Sequence, residues 1–268
     1  MFVIQKIAYF YRLFAKVFSY FSFGICSLIF SSGFPLLFIL SGFSKKRFQR
    51  LARKIVHIYF KIFVWEMRLL GVLSLHIENS DRLSKIPPSV IVANHPSFLD
   101  VVILLSIIPD ANCIVKGTLA KTPFVRKFVR TLYISNSLPF SEQLEKSTQS
   151  VHSGNSLIIF PEGTRTVPGE LMNFKKGAAR FALHAQCDVL PIYIGGNEKI
   201  GIRKHDPFFS THPTERYHYR LKILNPISIQ KFEAFPHSAA VIYLTEEMRE
   251  TLENYRDRDP ENPLSRPS

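Results

Sequence analysis

Cysteine is scarce in this sequence, and the patterns that would give it a chemical role are missing. The 268 residues contain three cysteines, Cys26, Cys113 and Cys187, and no C-x-x-C pair. No cysteine–histidine cluster has the spacing of a zinc site, so the sequence indicates no metal. A sparse, odd set of cysteines is typical of a reducing compartment and argues against a fold held by disulfides.

Acidic side chains are also few. The chain has 21 Asp plus Glu against 34 Lys plus Arg, which gives a formal net charge of +13. Such an excess favours an anionic partner, which could be a nucleic acid, an acidic substrate or an anionic membrane surface. The sequence has no zinc-finger, helix-turn-helix or RNA-recognition signature, and its basic residues crowd beside an apolar N-terminal segment. We therefore expect no nucleic-acid partner.

Charged side chains are absent from residues 17–43, VFSYFSFGICSLIFSSGFPLLFILSGF. About 20 apolar residues are enough to cross a bilayer, so this segment is long enough to span. Because Gly33 and Pro35 interrupt it, the pattern predicts either one kinked spanning helix or two short helices that enter one leaflet and return. A buried core helix is a third alternative. The run is too long for a cleavable signal peptide, and no small-residue cleavage site follows it.

A basic amphipathic pattern follows directly, in residues 44–71. From Ser44 to Leu70 there are eight Lys or Arg and a single acid, Glu66. Apolar side chains recur at helical spacing, at Phe48, Leu51, Ile55, Tyr59, Ile62 and Phe63. The pattern predicts a helix lying on an anionic membrane surface, and the alternative is a helix packed on its own domain. If residues 17–43 span, this more basic side should face the cytoplasm.

Short apolar runs alternate with helical patterns after Gly71. This alternation predicts an α/β fold in which helices flank a largely parallel sheet. We expect membrane-associated helices in residues 1–71, an α/β domain in 72–255 and a disordered tail in 256–268. Ligands of such sheets gather beyond the carboxyl ends of the strands. The loops NHPSFLD and PEGTR follow the apolar runs SVIVAN and NSLIIF, so both loops are predicted to form one site.

The loop NHPSFLD carries a histidine and an aspartate five residues apart, His95 and Asp100. Pro96 suits the first position of a helix, which would place Asp100 about one turn inside, with its carboxylate leaning back toward His95. Such a contact fixes the imidazole tautomer and stabilises the imidazolium of a general base. No G-x-S-x-G elbow or reactive cysteine is present, which favours a substrate hydroxyl as the nucleophile toward an activated acyl group. The alternative is a helix cap at Asp100 and a plain loop residue at His95.

The loop FPEGTR offers groups that suit a polar substrate. Arg165 could hold a phosphate or carboxylate through two parallel N–H bonds, and Glu162 could accept hydrogen bonds from substrate hydroxyls. Gly163 lets the backbone approach a ligand closely. The alternative is a Glu–Arg pair that shapes the turn.

Together these residues resemble the glycerolipid acyltransferase family, typified by lysophosphatidic acid acyltransferase. Four blocks match in the family's order, within residues 72–195. They are N-H-x4-D at Asn94, His95 and Asp100, K-x-x-L-x3-P at Lys116, Leu119 and Pro123, F-P-E-G-T-R with F-K-x-G at residues 160–165 and 174–177, and an apolar strand with a proline at Pro191.

The resemblance implies a membrane-associated O-acyltransferase. His95 would be the general base on the acceptor hydroxyl and Asp100 would orient it. The substrate-binding residues would be Lys116, Glu162, Gly163, Thr164 and Arg165. The acyl donor would be a thioester on coenzyme A or on acyl carrier protein, with no cofactor and no metal, and the acceptor a lysophospholipid-like membrane lipid. The expected location is the inner (cytoplasmic) membrane, with the catalytic domain on the cytoplasmic side.

One departure from the family pattern concerns the acceptor. Many members that use lysophosphatidic acid end the second block with a basic residue after a short strand, and here Ser137 or a neighbour stands at that place. An acceptor with less anionic character is therefore an alternative, such as a lyso-aminolipid. The chain also loosely resembles acyltransferases of aryl-polyene lipid pathways. Two more functions stay open at this point: a non-catalytic lipid-binding protein, and a hydrolase that uses the same base to activate water.

Overall fold

A computed structural model of the chain describes residues 2–122, 126–167 and 170–259. In these ranges the α-helices are α1 (Phe2–Ser32), α2 (Phe34–Leu40), α3 (Lys45–Leu69), α4 (Asp81–Lys85), α5 (Asp100–Ile107), α6 (Arg126–Leu132), α7 (Phe140–His152), α8 (Gly177–Ala185) and α9 (His237–Arg258). The strands are β1 (Leu73–Glu78), β2 (Val90–Ala93), β3 (Ala111–Val115), β4 (Ile134–Ser135), β5 (Ser156–Ile159), β6 (Val189–Gly195) and β7 (Tyr217–Ile223). Short 3₁₀ turns lie at Gly117–Lys121 and Ile229–Phe232.

The strands form one sheet in the order β1-β7-β6-β2-β5-β3-β4. Neighbouring strands are parallel except β6 and β7, which are antiparallel. In β2, Ile91 and Ala93 pack into the cluster that contains α3 and α5. Val90 and Val92 pack into the cluster of α8 and α9 on the other face. Because helices cover both faces, the central strands are apolar throughout, and the predicted α/β fold with a largely parallel sheet is confirmed.

The N-terminal apolar segment forms a long helix and a short one. The break between α1 and α2 falls at Gly33, as predicted, but α1 already begins at Phe2. It lies antiparallel along α3: the Tyr11 hydroxyl donates to the carbonyl of Leu70 (3.2 Å), and the ring of Phe23 lies 4.8 Å from that of Phe63. Among the described residues, one helix is long and apolar enough to cross a membrane, at Val3–Ser32. In this structure that helix lies against the domain along its length.

Helix α3 has two apolar stripes. One stripe is buried against the domain, and its members are Ala52, Val56, Phe60, Phe63, Val64 and Met67. The other is exposed, at Leu51, Ile58, Ile62, Trp65 and Leu69, and it continues onto exposed apolar side chains of α1 and α2 that include Ile7, Phe14, Phe21, Ile25, Leu36 and Ile39. We call this combined surface the apolar face. The packing alternative is therefore observed for one stripe of α3. Contact of the exposed stripe with a membrane stays a prediction.

A buried lysine ties α1 to the loop that follows β6. Lys16 is fully buried, and its Nζ donates to the carbonyls of Gly201 (2.8 Å), Phe208 (2.9 Å) and Ser210 (2.5 Å). A buried ammonium requires hydrogen-bond acceptors, and these three carbonyls supply them. The apolar helix is therefore fixed to a loop that, as shown below, also contacts the site.

Two sequence-based boundaries were wrong. Pro96 was predicted to suit the first position of a helix, but that helix, α5, begins at Asp100. The final helix continues to Arg258, so residues 256–258 are helical instead of part of a tail. Packing explains the last difference, because Asp259 is buried and accepts a hydrogen bond from Arg220 (3.2 Å). Residues 260–268 of the predicted tail lie outside the described residues.

Candidate active site

The carboxyl end of β2 carries the first part of the site. The Asn94 side chain bonds to β6 in both directions, since its Nδ2 donates to the Ile194 carbonyl (2.8 Å) and its Oδ1 accepts from the Ile194 N–H (2.7 Å). This amide fixes the end of β2 to its neighbour. The next residue, His95, consequently leaves the sheet edge from a rigid position.

His95 and Asp100 are hydrogen-bonded, with 2.8 Å between Nδ1 and Oδ2. The Asp100 side chain is fully buried, and it also accepts from the Ser97 N–H (2.8 Å) and the Ser97 hydroxyl (2.6 Å). The Tyr219 hydroxyl lies 2.7 Å from the Ser97 Oγ and donates to it, because the single Ser97 proton is given to Asp100. A carboxylate only accepts hydrogen bonds, so the His95 proton sits on Nδ1 and Nε2 keeps its lone pair.

The predicted His95–Asp100 contact is present, but it forms by another route. Asp100 is the first residue of α5, and residues 96–99 form the turn before it. The carboxylate folds back over this turn through its bonds to Ser97 and so meets the imidazole. The alternative interpretation, a capping aspartate, is wrong: the N-cap position of α5 is Leu99, and Asp100 accepts from Ser97, which lies before the helix.

The imidazole stacks on the residue that ends β5. The rings of His95 and Phe160 are 4.1 Å apart at 24°. The His95 side chain keeps 17% of its surface exposed. One edge of the ring is thus open to a substrate, while the stack and the Asp100 bond fix its plane.

Thr166 joins the two loops of the site. Its N–H donates to the His95 carbonyl (2.8 Å), and its Oγ1 accepts from the His95 N–H (2.7 Å). The same hydroxyl donates to Glu162 Oε1 (2.5 Å). Glu162 is buried, and this burial raises its pKa above the ordinary value. The predicted meeting of NHPSFLD and PEGTR at one edge of the sheet is therefore observed.

Arg165 is positioned by the loop after β6 and by an aromatic ring. Its Nη1 donates to the Arg203 carbonyl (3.0 Å), and its Cζ lies 5.5 Å from the centre of the Phe98 ring. In the parts of the chain that the structure describes, no carboxylate oxygen lies within 4.0 Å of its guanidinium, so the Glu–Arg pair considered as an alternative is not formed. Most of its N–H donors remain available for an anion.

Residues 74–195 match the family model described as Acyltransferase. This segment is similar to that family, and it makes up less than half of the chain. This family segment contains His95, Asp100 and the FPEGTR loop, so the resemblance inferred from the motifs is confirmed.

Relatives of this acyltransferase domain cover part of the chain. A chloroplastic 1-acyl-sn-glycerol-3-phosphate acyltransferase of Arabidopsis thaliana is 31% identical over 159 residues, which are 57% of this chain and 44% of the relative. A putative 1-acyl-sn-glycerol-3-phosphate acyltransferase of Caenorhabditis elegans is 36% identical over 39% of this chain and 40% of its own length. The human 1-acyl-sn-glycerol-3-phosphate acyltransferase beta is 29% identical over 48% of this chain and 49% of its own length. This chain therefore spans about half the length of these relatives.

A solved structure has the same fold as the acyltransferase domain and its N-terminal helices. It is the 1-acyl-sn-glycerophosphate acyltransferase PlsC from Thermotoga maritima, with a TM-score of 0.64. The likeness covers 90% of this chain and 97% of that one at 22% identity. At this identity the likeness establishes the fold.

The other predicted binding residues lie on the loop after β5 and at the end of β3. Gly163 has φ +66°, a backbone conformation that favours glycine, and the Lys175 side chain lies over it, since a Cβ built there would be 2.8 Å from Nζ. Thr164 is exposed beside it. Lys116 is exposed at the end of β3, one strand beyond β5. Pro123 lies outside the described residues.

Ser137, the departure from the family pattern, lies beside Lys116. A Cβ built on the neighbouring Gly117 would come within 1.9 Å of the Ser137 Oγ. The serine hydroxyl is thus packed against the backbone next to Lys116. At this end of the acyltransferase domain the chain places a small neutral group where an arginine is expected from the resemblance.

The sequence reasoning did not identify four residues that shape the site. Ser97 lies within the loop NHPSFLD, and Thr166 directly follows PEGTR. Hydroxyl side chains so close to the motif residues could have been predicted to bond to them. Tyr219 and Tyr20 carried no such signal. Tyr219 is 122 residues away in the chain from Ser97, which it contacts, and Tyr20 is roughly 80 residues away from Phe98. The Tyr20 ring of α1 lies 5.4 Å from that of Phe98, so the apolar helix reaches the residue against which Arg165 packs.

Replacing Thr166 with valine should lower kcat of the acyltransferase domain on the order of 10-fold. The substitution keeps the shape and removes the hydroxyl that accepts from the His95 N–H and donates to Glu162. Thr166→Ser keeps that hydroxyl and should retain near wild-type activity. Equal activity of the valine and serine variants in a steady-state assay would contradict this role.

Replacing Glu162 with glutamine should stabilise the protein increasingly as the pH rises. Because burial raises the Glu162 pKa, ionising it in the folded protein lowers the free energy of unfolding. Below the unfolded value of about 4.3 both side chains are neutral and the two proteins should be equally stable. As the pH passes the folded pKa, the wild type should lose stability relative to the variant. Urea unfolding across this range measures the difference.

The control for that experiment is Glu250→Gln, at an exposed position on α9. Its stability difference from the wild type should not grow with pH. A Glu162→Gln variant that loses stability relative to the wild type at high pH would contradict the prediction, because it would show that the ionised Glu162 stabilises the folded protein.

Proposed function

We propose that the chain is a membrane-associated O-acyltransferase that moves an acyl group from a thioester to a lipid hydroxyl. The observation that carries the proposal is the His95–Asp100 hydrogen bond of 2.8 Å, which engages Nδ1 of a partly exposed imidazole. A general base placed beside a substrate-binding loop suits attack by an acceptor hydroxyl. The chain itself needs no covalent intermediate for this reaction.

In the proposed reaction His95 first acts as a base and then as an acid. Nε2 takes the proton of the acceptor hydroxyl as its oxygen attacks the thioester carbonyl, and the buried Asp100 stabilises the imidazolium. Collapse of the tetrahedral intermediate breaks the C–S bond, and the imidazolium gives its proton to the departing thiolate. The products are an ester and a free thiol, and His95 returns to its starting form.

The proposed acceptor is 1-acyl-sn-glycerol 3-phosphate. The names of the relatives support it, as does Arg165, whose remaining N–H groups suit a phosphate. Glu162, Gly163, Thr164 and Lys116 are proposed to complete the binding of the acceptor. The donor is proposed to be an acyl thioester of coenzyme A or acyl carrier protein. The apolar face favours a lipid acceptor delivered from a membrane, and we propose that the domain lies on the cytoplasmic side.

Ser137 favours a second candidate, an acyltransferase for a lipid with less negative charge. Its neutral side chain beside Lys116 offers one fewer cation than the resemblance leads us to expect. A lyso-aminolipid or a precursor of an aryl-polyene lipid would need fewer cationic side chains in its binding site than lysophosphatidate.

An assay of thiol release tests the proposed function. The purified protein in neutral detergent is given a long-chain acyl-CoA or acyl carrier protein thioester, with lysophosphatidate, with a lyso-aminolipid or with no acceptor. Ester formation that depends on an acceptor supports the proposal, and the ratio of kcat/KM values decides between the two acceptors. Free fatty acid without an acceptor would instead identify a hydrolase. Lysolipid binding without turnover of any thioester would identify a non-catalytic protein.

A further inference from the structure

A basic groove lies away from the site. It has a volume of about 950 Å³ and is lined by the first turns of α3, the end of α6, part of α7 and the residues that precede β3 and β5. Its basic lining residues are Lys45, Lys46, Arg50, Arg53, Lys54, Arg130 and Lys146. Among the described lining residues there is one acid, Asp110. The proposed reaction uses none of these residues.

The positive charge of this basic groove is not neutralised within the described residues. Lys146 pairs with Glu142 at 2.7 Å, but the other six cations have no carboxylate oxygen within 4.0 Å in the described ranges. The Nε of Arg53 is buried and makes no hydrogen bond there. Burial also lowers the pKa of Arg53, which means that its charged form is destabilised as it stands. An anion in the groove would remove that penalty.

The start of α3 adds a second, independent reason for an anion. Its first residues are Lys45, Lys46 and Arg47, and its first turn contains no acid. The N-terminus of a helix is the positive end of its dipole, so basic residues there are unfavourable by themselves. The Ser44 hydroxyl caps the Arg47 N–H (3.4 Å), and the positive end of the helix together with its cations favours an anion such as a phosphate nearby.

The position of the groove keeps its ligand-binding groups away from the carbonyl that reacts. Asp110 and Asn155 directly precede β3 and β5, whereas His95 and Glu162 follow the opposite ends of β2 and β5. From Asn155 to Phe160 the chain advances five residues, or about 17 Å at the usual strand rise. An anion in the groove therefore lies at the other end of the sheet from the proposed chemistry.

The groove adjoins the apolar face. Phe38 of α2 and Phe48 of α3 line it, with their rings 5.5 Å apart. Next to them Leu36, Ile39 and Leu40 are exposed. A ligand that is anionic at one end and apolar at the other would meet both surfaces at once. A phospholipid in a bilayer has this chemistry, and an acidic protein does not.

We propose that the basic groove binds the phosphate headgroup of an anionic membrane phospholipid, at a site separate from the catalytic one. The proposal rests on the membrane association included in the proposed function. It gives the enzyme a preference for anionic membranes that does not depend on its acceptor. The bound headgroup neutralises Arg53 and the start of α3, and so holds the apolar face against the bilayer.

Vesicle binding tests the proposal with matched variants. The full chain is mixed with vesicles of phosphatidylcholine, with or without phosphatidylglycerol. The triple variant Arg50→Gln, Arg53→Gln, Arg130→Gln should bind the anionic vesicles on the order of 100-fold more weakly, and neutral vesicles as the wild type does. The control Lys85→Gln, Arg180→Gln, Lys231→Gln removes the same charge elsewhere and should keep the preference. Equal losses in both triple variants would overturn the proposal in favour of general charge attraction.

Further arms separate the remaining outcomes. If the first variant does not fold, Lys46→Gln, Arg50→Gln, Arg130→Gln keeps Arg53 and should show the same loss. A short-chain phosphatidylglycerol should raise the Tm of the wild type more than inorganic phosphate at equal ionic strength, and equal shifts would overturn a lipid site. Binding of an acidic carrier protein that needs these arginines, without preference for anionic vesicles, would also overturn it.

Activity in neutral micelles separates this inference from the proposed function. The groove variants should retain wild-type kcat there, because the groove is remote from His95. If they retain activity and also keep the vesicle preference, the lipid site is wrong while the acyltransferase function stands. If the wild type has no transferase activity but the variants lose the preference, the function is wrong and the lipid site stands.

Discussion

Replacing His95 with alanine should reduce kcat for acyl transfer about 1,000-fold, with little change in stability. The imidazole leaves the carboxyl edge of β2 with Nδ1 bonded to Asp100, so its other nitrogen, Nε2, is the one placed to take the acceptor proton. The side chain packs on one face against Phe160 and is partly exposed, so its removal leaves a small gap at the surface instead of a core cavity. Thiol release and thermal unfolding measure the two effects.

Asp100→Asn is the companion to that variant. An asparagine keeps the shape of the site, because its amide oxygen can accept from the Ser97 N–H and from Nδ1 as Oδ2 does, but it has no negative charge to stabilise the imidazolium. We expect a loss close to that of His95→Ala, and a double variant that is no worse than either single one, because both changes disable the same unit. A His95→Ala protein with wild-type kcat would refute the proposed mechanism.

Replacing Arg165 with glutamine should lower kcat/KM for lysophosphatidate on the order of 100-fold. Hydrogen bonds to charged groups contribute about 1.5–3 kcal/mol each, and the guanidinium can offer more than one to a phosphate. The contact with the Arg203 carbonyl and the packing on Phe98 hold the guanidinium in place before the substrate arrives. Most of the effect should therefore fall on KM.

Two comparisons identify the cause of that loss. Arg165→Lys keeps the charge and loses the forked geometry, so it should recover a part of the activity. An uncharged acceptor should be affected far less than lysophosphatidate by either substitution. If Arg165→Gln reduces kcat/KM equally for charged and uncharged acceptors, the arginine supports the loop and does not bind the phosphate.

The chemistry of the site was predictable because its parts are close together in the sequence. His95 and Asp100 belong to one seven-residue loop, and Glu162 and Arg165 to another. Each loop follows an apolar run that is recognisable as a buried strand, and parallel strands bring their carboxyl ends to one edge. The family blocks gave the roles, which remain predictions for the assays above.

The boundaries and the supporting contacts were less predictable. The turn of residues 96–99 replaces the first turn of the expected helix, because the Ser97 side chain and N–H bind Asp100 in a way that spacing cannot reveal. Gly33 marked a helix break correctly, since a glycine followed by Pro35 weakens a helix wherever it stands. The extension of α1 back to Phe2 was not predicted, because its support includes distant contacts of Tyr11 with α3 and of Lys16 with the loop after β6.

The sequence alone determined the α/β class, the two polar loops and the apolar N-terminal segment, since each depends on neighbouring residues and on the periodicity of apolar side chains. Tertiary structure alone decided which stripe of α3 is buried, because both stripes are apolar and only packing distinguishes them. It also decided that Lys16 meets Ser210 across 194 residues and that Tyr219 supports Ser97 across 122. Such pairs form when the whole chain folds, and no local pattern specifies them.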